Sequence, residues 1–191
     1  MNYLDILAIG NLLRGEDGSV IEANSTSTLI RSDGRLIVVD PGSRMMRPAV
    51  KLSFRQIGVF MKDVDTVVLT HLHYDHMENL DLFPDAEVLI HSGGEGGPDH
   101  TVVEGDLKIA EGVELVHTPG HTWDSMSVFV KGDLKYAIAG DAIPLEDNLR
   151  RMVPPRFNVD KDAAMKSIKT IANFADVIVP GHGAPFRIRK R

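Results

Sequence analysis

A layered α/β or α+β domain is what this sequence predicts, and three observations predict it. Short apolar runs recur along the chain, separated by Gly, Pro and Asp, which is the punctuation of many strands. Two longer stretches space their apolar residues at helical intervals instead. The chain has 191 residues, 43% of them hydrophobic and 25% charged, so one domain over 1–191 can bury a core without staples.

Taken in order, "STLIRSDGRLIVVDPG" reads as a hairpin, two apolar runs around Asp33-Gly34, a dipeptide suited to a tight turn. "MMRPAVKLSFRQIG" sets Met46, Val50, Phe54 and Ile57 on one helical face. Strands are expected at "TVVLT", "AEVLI", "VELV", "MSVFV", "YAIAG" and "DVIVP". Between the last two, "DKDAAMKSIKTIANF" aligns Ala164, Met165, Ile168, Ile171 and Ala172 as a helix face, with Asp160 or Asp162 at its N-cap. The glycines of "HSGGEGGPDH" lack the Gly-Lys-Ser/Thr ending of a phosphate loop, so that segment is read as a loop without a nucleotide role.

Composition excludes several function classes. No cysteine is present, which removes disulfides, thiolate ligands and a cysteine nucleophile, and makes a reducing cytoplasm the expected location. No apolar run approaches the roughly 18 residues of a membrane span, and the N-terminus has no basic leader, so neither a membrane partner nor a signal peptide is expected. The net charge of −6 is uneven: residues 1–147 carry 11 basic against 24 acidic side chains, and residues 148–191 carry 10 against 3. Arg150, Arg151 and Arg156 form one basic cluster, and Arg187, Arg189, Lys190 and Arg191 another. Such a segment beside a metal site favours an anionic substrate; otherwise it is a solvated helix face and a frayed tail.

The chemistry concentrates in "THLHYDHMENL". Imidazole nitrogens and a carboxylate oxygen are the donors that zinc- or iron-class ions take. Where the chain stays extended after the strand, His71 and His73 point to one side and converge on one ion. Asp75 and His76 follow where the chain turns into a helix, and face a second. His121, Asp141 and His182 each come at the end of a strand-like run, in "HTPGHT", "AGD" and "VPGHG", where a rigid scaffold presents its chemistry.

These four segments and "STLIRSDGRLIVVDPG" before them, in this order, resemble the metallo-β-lactamase-fold metal hydrolases almost end to end. The resemblance implies an αββα sandwich with the metals in a shallow cleft at one edge of two packed sheets. It further implies that His71, His73 and His121 hold one ion, that Asp75, His76 and His182 hold a second, and that Asp141 bridges them. Asp40, in "VVDPG", takes the position that orients a ligand histidine. The implied cofactors are two divalent ions, zinc first, with manganese or iron as alternatives, and the implied chemistry is hydrolysis of an ester, thioester or phosphodiester by a bridging hydroxide. Asp75 and Asp141 are the carboxylates expected to serve catalysis as well as ligation. His117 is expected to be structural, His91 and His100 not to be ligands, Tyr74 to pack, and Trp123 either to floor the cleft or to cover core.

Departures narrow the family. Without cysteine, and with Asp141 at the bridge, a β-lactam substrate is not expected. Only about ten residues follow His182, too few for the glutathione-gripping helices of glyoxalase II. "DAIPLED" carries no tyrosine after Asp141, against an acyl-homoserine lactonase. Neither the flavin domain of flavodiiron proteins nor the added domain or arm of the long RNA nucleases is expected. The small stand-alone form remains, resembling the metallo-β-lactamase domain-containing protein 1 type, a group associated with RNA cleavage; RNA is therefore a candidate partner, and a homodimer a candidate assembly. Two rivals stay open: a persulfide dioxygenase with one iron on His71, His121 and Asp141, and a non-catalytic binding protein.

Overall fold

The computed structural model describes residues 1–97 and 99–188. Two six-stranded sheets form its centre. The first comprises β1 (Tyr3–Ala8), β4 (Ser27–Ser32), β5 (Arg35–Val39), β6 (Thr66–Val68), β7 (Glu87–His91) and β8 (His100–Val103), in that spatial order. The second runs β14 (Phe186–Arg187), β13 (Val177–Pro180), β12 (Lys135–Gly140), β11 (Met126–Lys131), β10 (Val113–His117) and β9 (Leu107–Ala110). A separate two-stranded ribbon pairs β2 (Asn11–Arg14) with β3 (Val20–Asn24).

Alternation along the strands builds four layers, because successive side chains leave a strand on opposite faces. Val39, Val68 and Leu89 of the first sheet meet Leu115, Val128 and Ile138 of the second in the inter-sheet core. Their neighbours Val38, Val67 and Ile90 face outward under helix α1 (Arg47–Gln56), against Val50 and Phe54. On the other flank, Phe129, Ala137, Ala139 and Ile178 lie under Ile168 and Ile171 of a long helix over Lys161–Phe174. The arrangement is the αββα sandwich that the resemblance implies.

The predicted hairpin is β4–β5, antiparallel, and its turn is two residues: Asp33 at φ 48° and Gly34 at φ 81°, both in the left-handed region that such a turn requires. Asp160, rather than Asp162, caps the long helix, its carboxylate accepting from the N–H groups of Asp162 and Ala163 at 2.9 Å. The glycine segment is a loop between β7 and β8. Six strands have no counterpart in the predicted elements: β1, β2, β3, β8, β9 and β14. Among the described residues no helix is long and apolar enough to cross a membrane. Arg187 ends β14, while the expectation for the tail at Arg189, Lys190 and Arg191 falls outside the described residues.

Two pairs of parallel neighbours position the site. β5 and β6 run side by side and deliver Asp40 and His71 past their C-terminal ends. β12 and β13 do the same for Asp141 and His182 in the other sheet. Both ends open on the same edge, where Thr26 N–H donates to the carbonyl of Gly181 at 2.7 Å and Met126 N–H to that of Thr70 at 2.8 Å.

Candidate metal centre

All seven candidate ligands converge. After β6 the chain does not stay extended as expected but bends at Thr70 and His71; it is extended at His73 and then turns into the single helical turn α2 (Tyr74–Met77), which carries Asp75 and His76. His121 comes from the loop between β10 and β11, and Asp141 and His182 follow β12 and β13. His71 Nε2 lies 3.0 Å from His73 Nδ1, and His121 Nε2 lies 3.1 Å from that same Nδ1. Opposite, Asp75 Oδ2 is 3.7 Å from both His76 Nε2 and His182 Nε2. Asp141 reaches both groups: Oδ2 is 3.5 Å from His121 Nε2 and 3.3 Å from His182 Nε2, and Oδ1 is 3.2 Å from His182 Nε2 and 3.7 Å from His76 Nε2.

Metal ions would relieve such crowding of ligand atoms. Donors about 2.0–2.1 Å from a tetrahedral ion lie roughly 3.3 Å apart, close to the separations found. Three of these atoms, Asp75 Oδ2, His76 Nε2 and Asp141 Oδ1, are buried with no hydrogen-bond partner. An unpaired buried polar atom is costly and calls for an explanation, and an ion supplies one. His71, His73 and His121 form one trio able to hold a metal, and Asp75, His76 and His182 another.

In four of the five rings a contact at the far nitrogen fixes which atom faces inward. His121 Nδ1–H donates to the carbonyl of Phe157 at 2.8 Å, His182 Nδ1–H to that of Asn24 at 2.9 Å, and His76 Nδ1–H to Asp40 Oδ2 at 2.8 Å. A carbonyl or carboxylate only accepts, so Nδ1 carries the proton and the Nε2 lone pair is left for a metal. His71 is held through Thr70, whose hydroxyl sits 3.2 Å from His71 Nδ1 and donates to Asp40 Oδ2 at 2.7 Å. Asp40 also accepts from Thr70 N–H at 2.8 Å and sits at φ 49°, a left-handed conformation that aspartate tolerates better than most residues. The expected contact between Asp40 and a candidate ligand is therefore made, to His76. Glycines make the close approach feasible: a Cβ on Gly181 would lie 2.0 Å from Asp141 Oδ1, and one on Gly140 2.4 Å from Thr70 Oγ1.

In the metal-free chain the ligands differ in proton affinity. Burial, reinforced by the neighbouring His76, holds His71 well below the usual histidine range, and burial with His121 lowers His73. Burial opposes a charge on His76, but Asp40 outweighs it and pushes the group up to about 9. His182 is likewise raised, burial being overcome by Asp141. Asp141 in turn stays well below the usual carboxylate range, because the surrounding histidines overcome its burial.

The centre floors a cleft of about 420 Å³ whose walls include Arg14, Pro144, Arg156 and Phe157. Of these, only Arg156 carries a sequence signal. Thr70, Asn24 and Phe157 also escaped the sequence reading: Thr70 stands inside the motif, whereas the other two act through backbone carbonyls that no residue type announces. His117 is structural, as expected, its Nε2–H donating to the carbonyl of Trp123 at 2.9 Å and its ring stacked on His91 at 3.8 Å. Neither His91 nor His100 joins a metal-capable group among the described residues. Two expectations fail. Tyr74 is 81% exposed and packs against no core, because α2 turns it outward from the buried His76; Trp123, 52% exposed, neither lines the cleft nor covers core.

Comparison with known proteins identifies the family. The model of the metallo-beta-lactamase superfamily matches residues 20–94. A Methanocaldococcus jannaschii metallo-hydrolase is 36% identical over 94% of this chain and 86% of its own length. The metallo-beta-lactamase domain-containing protein 1 of Xenopus laevis is 34% identical over 91% of this chain and 76% of its own. Among solved structures, a metallo-beta-lactamase-like protein from Thermotoga maritima superposes with a TM-score of 0.80 at 19% identity, covering 98% of this chain and 99% of that one. A quorum-quenching N-acyl homoserine lactone lactonase superposes with a TM-score of 0.75 at 21% identity, over 95% and 91%. The chain belongs to the metallo-beta-lactamase superfamily.

Proposed function

We propose that this protein is a metal-dependent hydrolase that cleaves an ester, thioester or phosphodiester with two divalent ions, zinc in the first instance. One observation carries the reading: two trios of donor atoms lie side by side, and the Asp141 carboxylate lies within 3.5 Å of a histidine nitrogen of each. A single ion on His71, His73 and His121 would leave Asp75 Oδ2 and His76 Nε2 as unsatisfied buried atoms. The metallo-hydrolase relative supports the same class of chemistry.

His71, His73 and His121 would hold one ion, Asp75, His76 and His182 the other, with Asp141 shared. When bound, the ions supply a nucleophile from water near neutral pH and polarise the scissile oxygen. The chain's own residues do the rest. The carbonyls of Phe157 and Asn24, with Asp40 and Thr70, hold the four buried rings in one tautomer and orientation. Asp75 turns Oδ2 toward His76 and His182, leaving Oδ1 as the acceptor for the proton released when water attacks. That proton then passes to the departing oxygen or sulfur. Pro144 and Phe157 line the cleft beside the reacting centre.

The test is elemental analysis by mass spectrometry of protein purified without chelators or a metal-affinity tag, followed by turnover of model substrates. About two zinc or manganese ions per chain, with cleavage of at least one of the three bond types, is the expected result. One iron per chain, with oxygen uptake on persulfide substrates and no hydrolysis, would overturn it.

A further inference from the structure

We propose that the substrate carries an anionic group, a carboxylate or a phosphate, next to its scissile bond, and that Arg14 and Arg156 form the subsite that binds it; this rests on the hydrolase reading above. The two residues lie 142 positions apart, one at the end of β2 and one in the segment before the long helix, yet they line the same cleft as the candidate ligands.

Charge in that cleft is unbalanced in a telling way. Its carboxylates are Asp75 and Asp141, and its permanent cations are Arg14 and Arg156. Both carboxylates belong to the donor set of the metal centre. Once they are committed to metal ions, nothing anionic in the lining remains to face the guanidinium groups. Neither arginine forms an ion pair among the described residues, although each is close to other protein atoms. Arg14 Nη1 donates to the carbonyl of Gly18 at 3.3 Å, and Arg156 Nη2 to that of Asp17 at 3.2 Å. A guanidinium offers five N–H donors, so most of each fork is unused. Asp17, whose carboxylate feels the charge of Arg156, is itself engaged by Ser19 N–H at 2.9 Å and Ser19 Oγ–H at 2.7 Å.

Both forks are held before any ligand arrives. The Arg14 guanidinium lies 5.1 Å above the ring centre of Phe157. Arg156 lies flat on Gly18, where a Cβ would stand 2.0 Å from its Nη1. The segment carrying Arg156 is stiffened by Pro154 and Pro155 and pinned by Asn148 Nδ2–H to the carbonyl of Pro154 at 3.1 Å and by Val159 N–H to that of Gly120 at 2.8 Å. The same segment supplies the Phe157 carbonyl that orients His121, so Arg156 and a candidate ligand share one rigid support. Room for the charged part exists as well: Arg14, Pro144 and Arg156 also border an adjoining pocket of about 250 Å³, where Arg151 adds a third cation and Asp147 one carboxylate. A planar fork that recognises an oxyanion in two contacts suits a carboxylate or a phosphate alike.

The experiment uses the metal-loaded full chain with two probes, succinate and inorganic phosphate, titrated calorimetrically into wild type, R14Q, R156Q, R156K and the double R14Q/R156Q variant. In parallel, 4-nitrophenyl hydrogen succinate and 4-nitrophenyl butyrate compare a charged with a neutral ester. Each glutamine variant is expected to weaken the better probe about 10- to 100-fold, and to erase the wild-type preference for the charged ester by a similar factor. R156K restores part of the binding, since it keeps the charge and loses the fork. The tighter of the two probes identifies carboxylate or phosphate. Equal probe affinity in wild type and the double variant, or a wild type that cleaves both esters equally well, overturns the subsite and leaves the hydrolase standing. Arginine-dependent probe binding with no turnover of any ester, thioester or phosphodiester instead overturns the hydrolase reading and keeps the anion subsite.

Discussion

Replacing Asp40 with asparagine tests how the centre is tuned. Asparagine also tolerates the left-handed backbone at φ 49°, so the substitution changes charge and hydrogen bonding with little change of shape. Three donors, Thr70 N–H, Thr70 Oγ1–H and His76 Nδ1–H, point at the carboxylate, and an amide presents two N–H groups where only acceptors fit. Two effects then oppose each other in metal binding. Lost orientation of His76 lowers affinity about 10- to 100-fold. Lost charge, however, releases His76 from the proton it holds up to about 9. At pH 7 a metal must expel that proton from the wild type at a cost of about 3 kcal/mol, since each unit is worth about 1.4. The wild-type affinity of the Asp75–His76–His182 site should therefore fall about tenfold per unit from pH 9 to pH 7, and that of D40N much less. Zinc titration against a competing chelator at pH 7, 8 and 9 reads both, and the D40N deficit should be largest at pH 9. Stability of the metal-free protein follows the opposite sense. His76 is raised, so its contribution is full below pH 6.5 and is lost as pH rises through about 9, and the difference between wild type and D40N should shrink along that interval. Parallel pH profiles for the two proteins would refute the pairing as the source of the shift.

Three more outcomes follow. Gly181→Ala pushes a methyl group onto Asp141 Oδ1, so the purified variant should lose bound metal while its far-ultraviolet circular dichroism stays native. His121→Ala or Asp141→Ala should lower kcat/KM at least about 1,000-fold with the protein still folded; full activity in either would undo the ligand assignment. Phe54→Ala empties a site that is 1% exposed and packs a ring at 5.6 Å from Phe83, and should cost about 3–5 kcal/mol in denaturant unfolding.

Legibility tracks how locally each feature is encoded. His71, His73, Asp75 and His76 stand together in one motif, and Asp141 and His182 each follow a buried parallel strand, so residue type and strand ends sufficed to nominate them. The hairpin was legible because Asp33 and Gly34 both accept a positive φ. β2 and β3 were not: they are short and largely exposed, and so carry no run of buried apolar residues. Arg14 is invisible for another reason, since only tertiary folding sets it beside Arg156. The carbonyls of Asn24 and Phe157 leave no mark in a sequence. The basic cluster itself dispersed, Arg150 pairing with Glu146 on the surface while Arg156 turned into the cleft.

The seam between the sheets divides the donor atoms as well as the strands. His71, His73, Asp75 and His76 leave the first sheet, while His121, Asp141 and His182 leave the second, and the chain crosses from one to the other only once between β8 and β9. Each trio thus draws two members from one half and one from the other. Neither half alone can complete a trio, so a metal ion at this edge reports that both halves have docked in register. A chain cut in the turn at 104–106 becomes two pieces whose reunion the metal itself would reward.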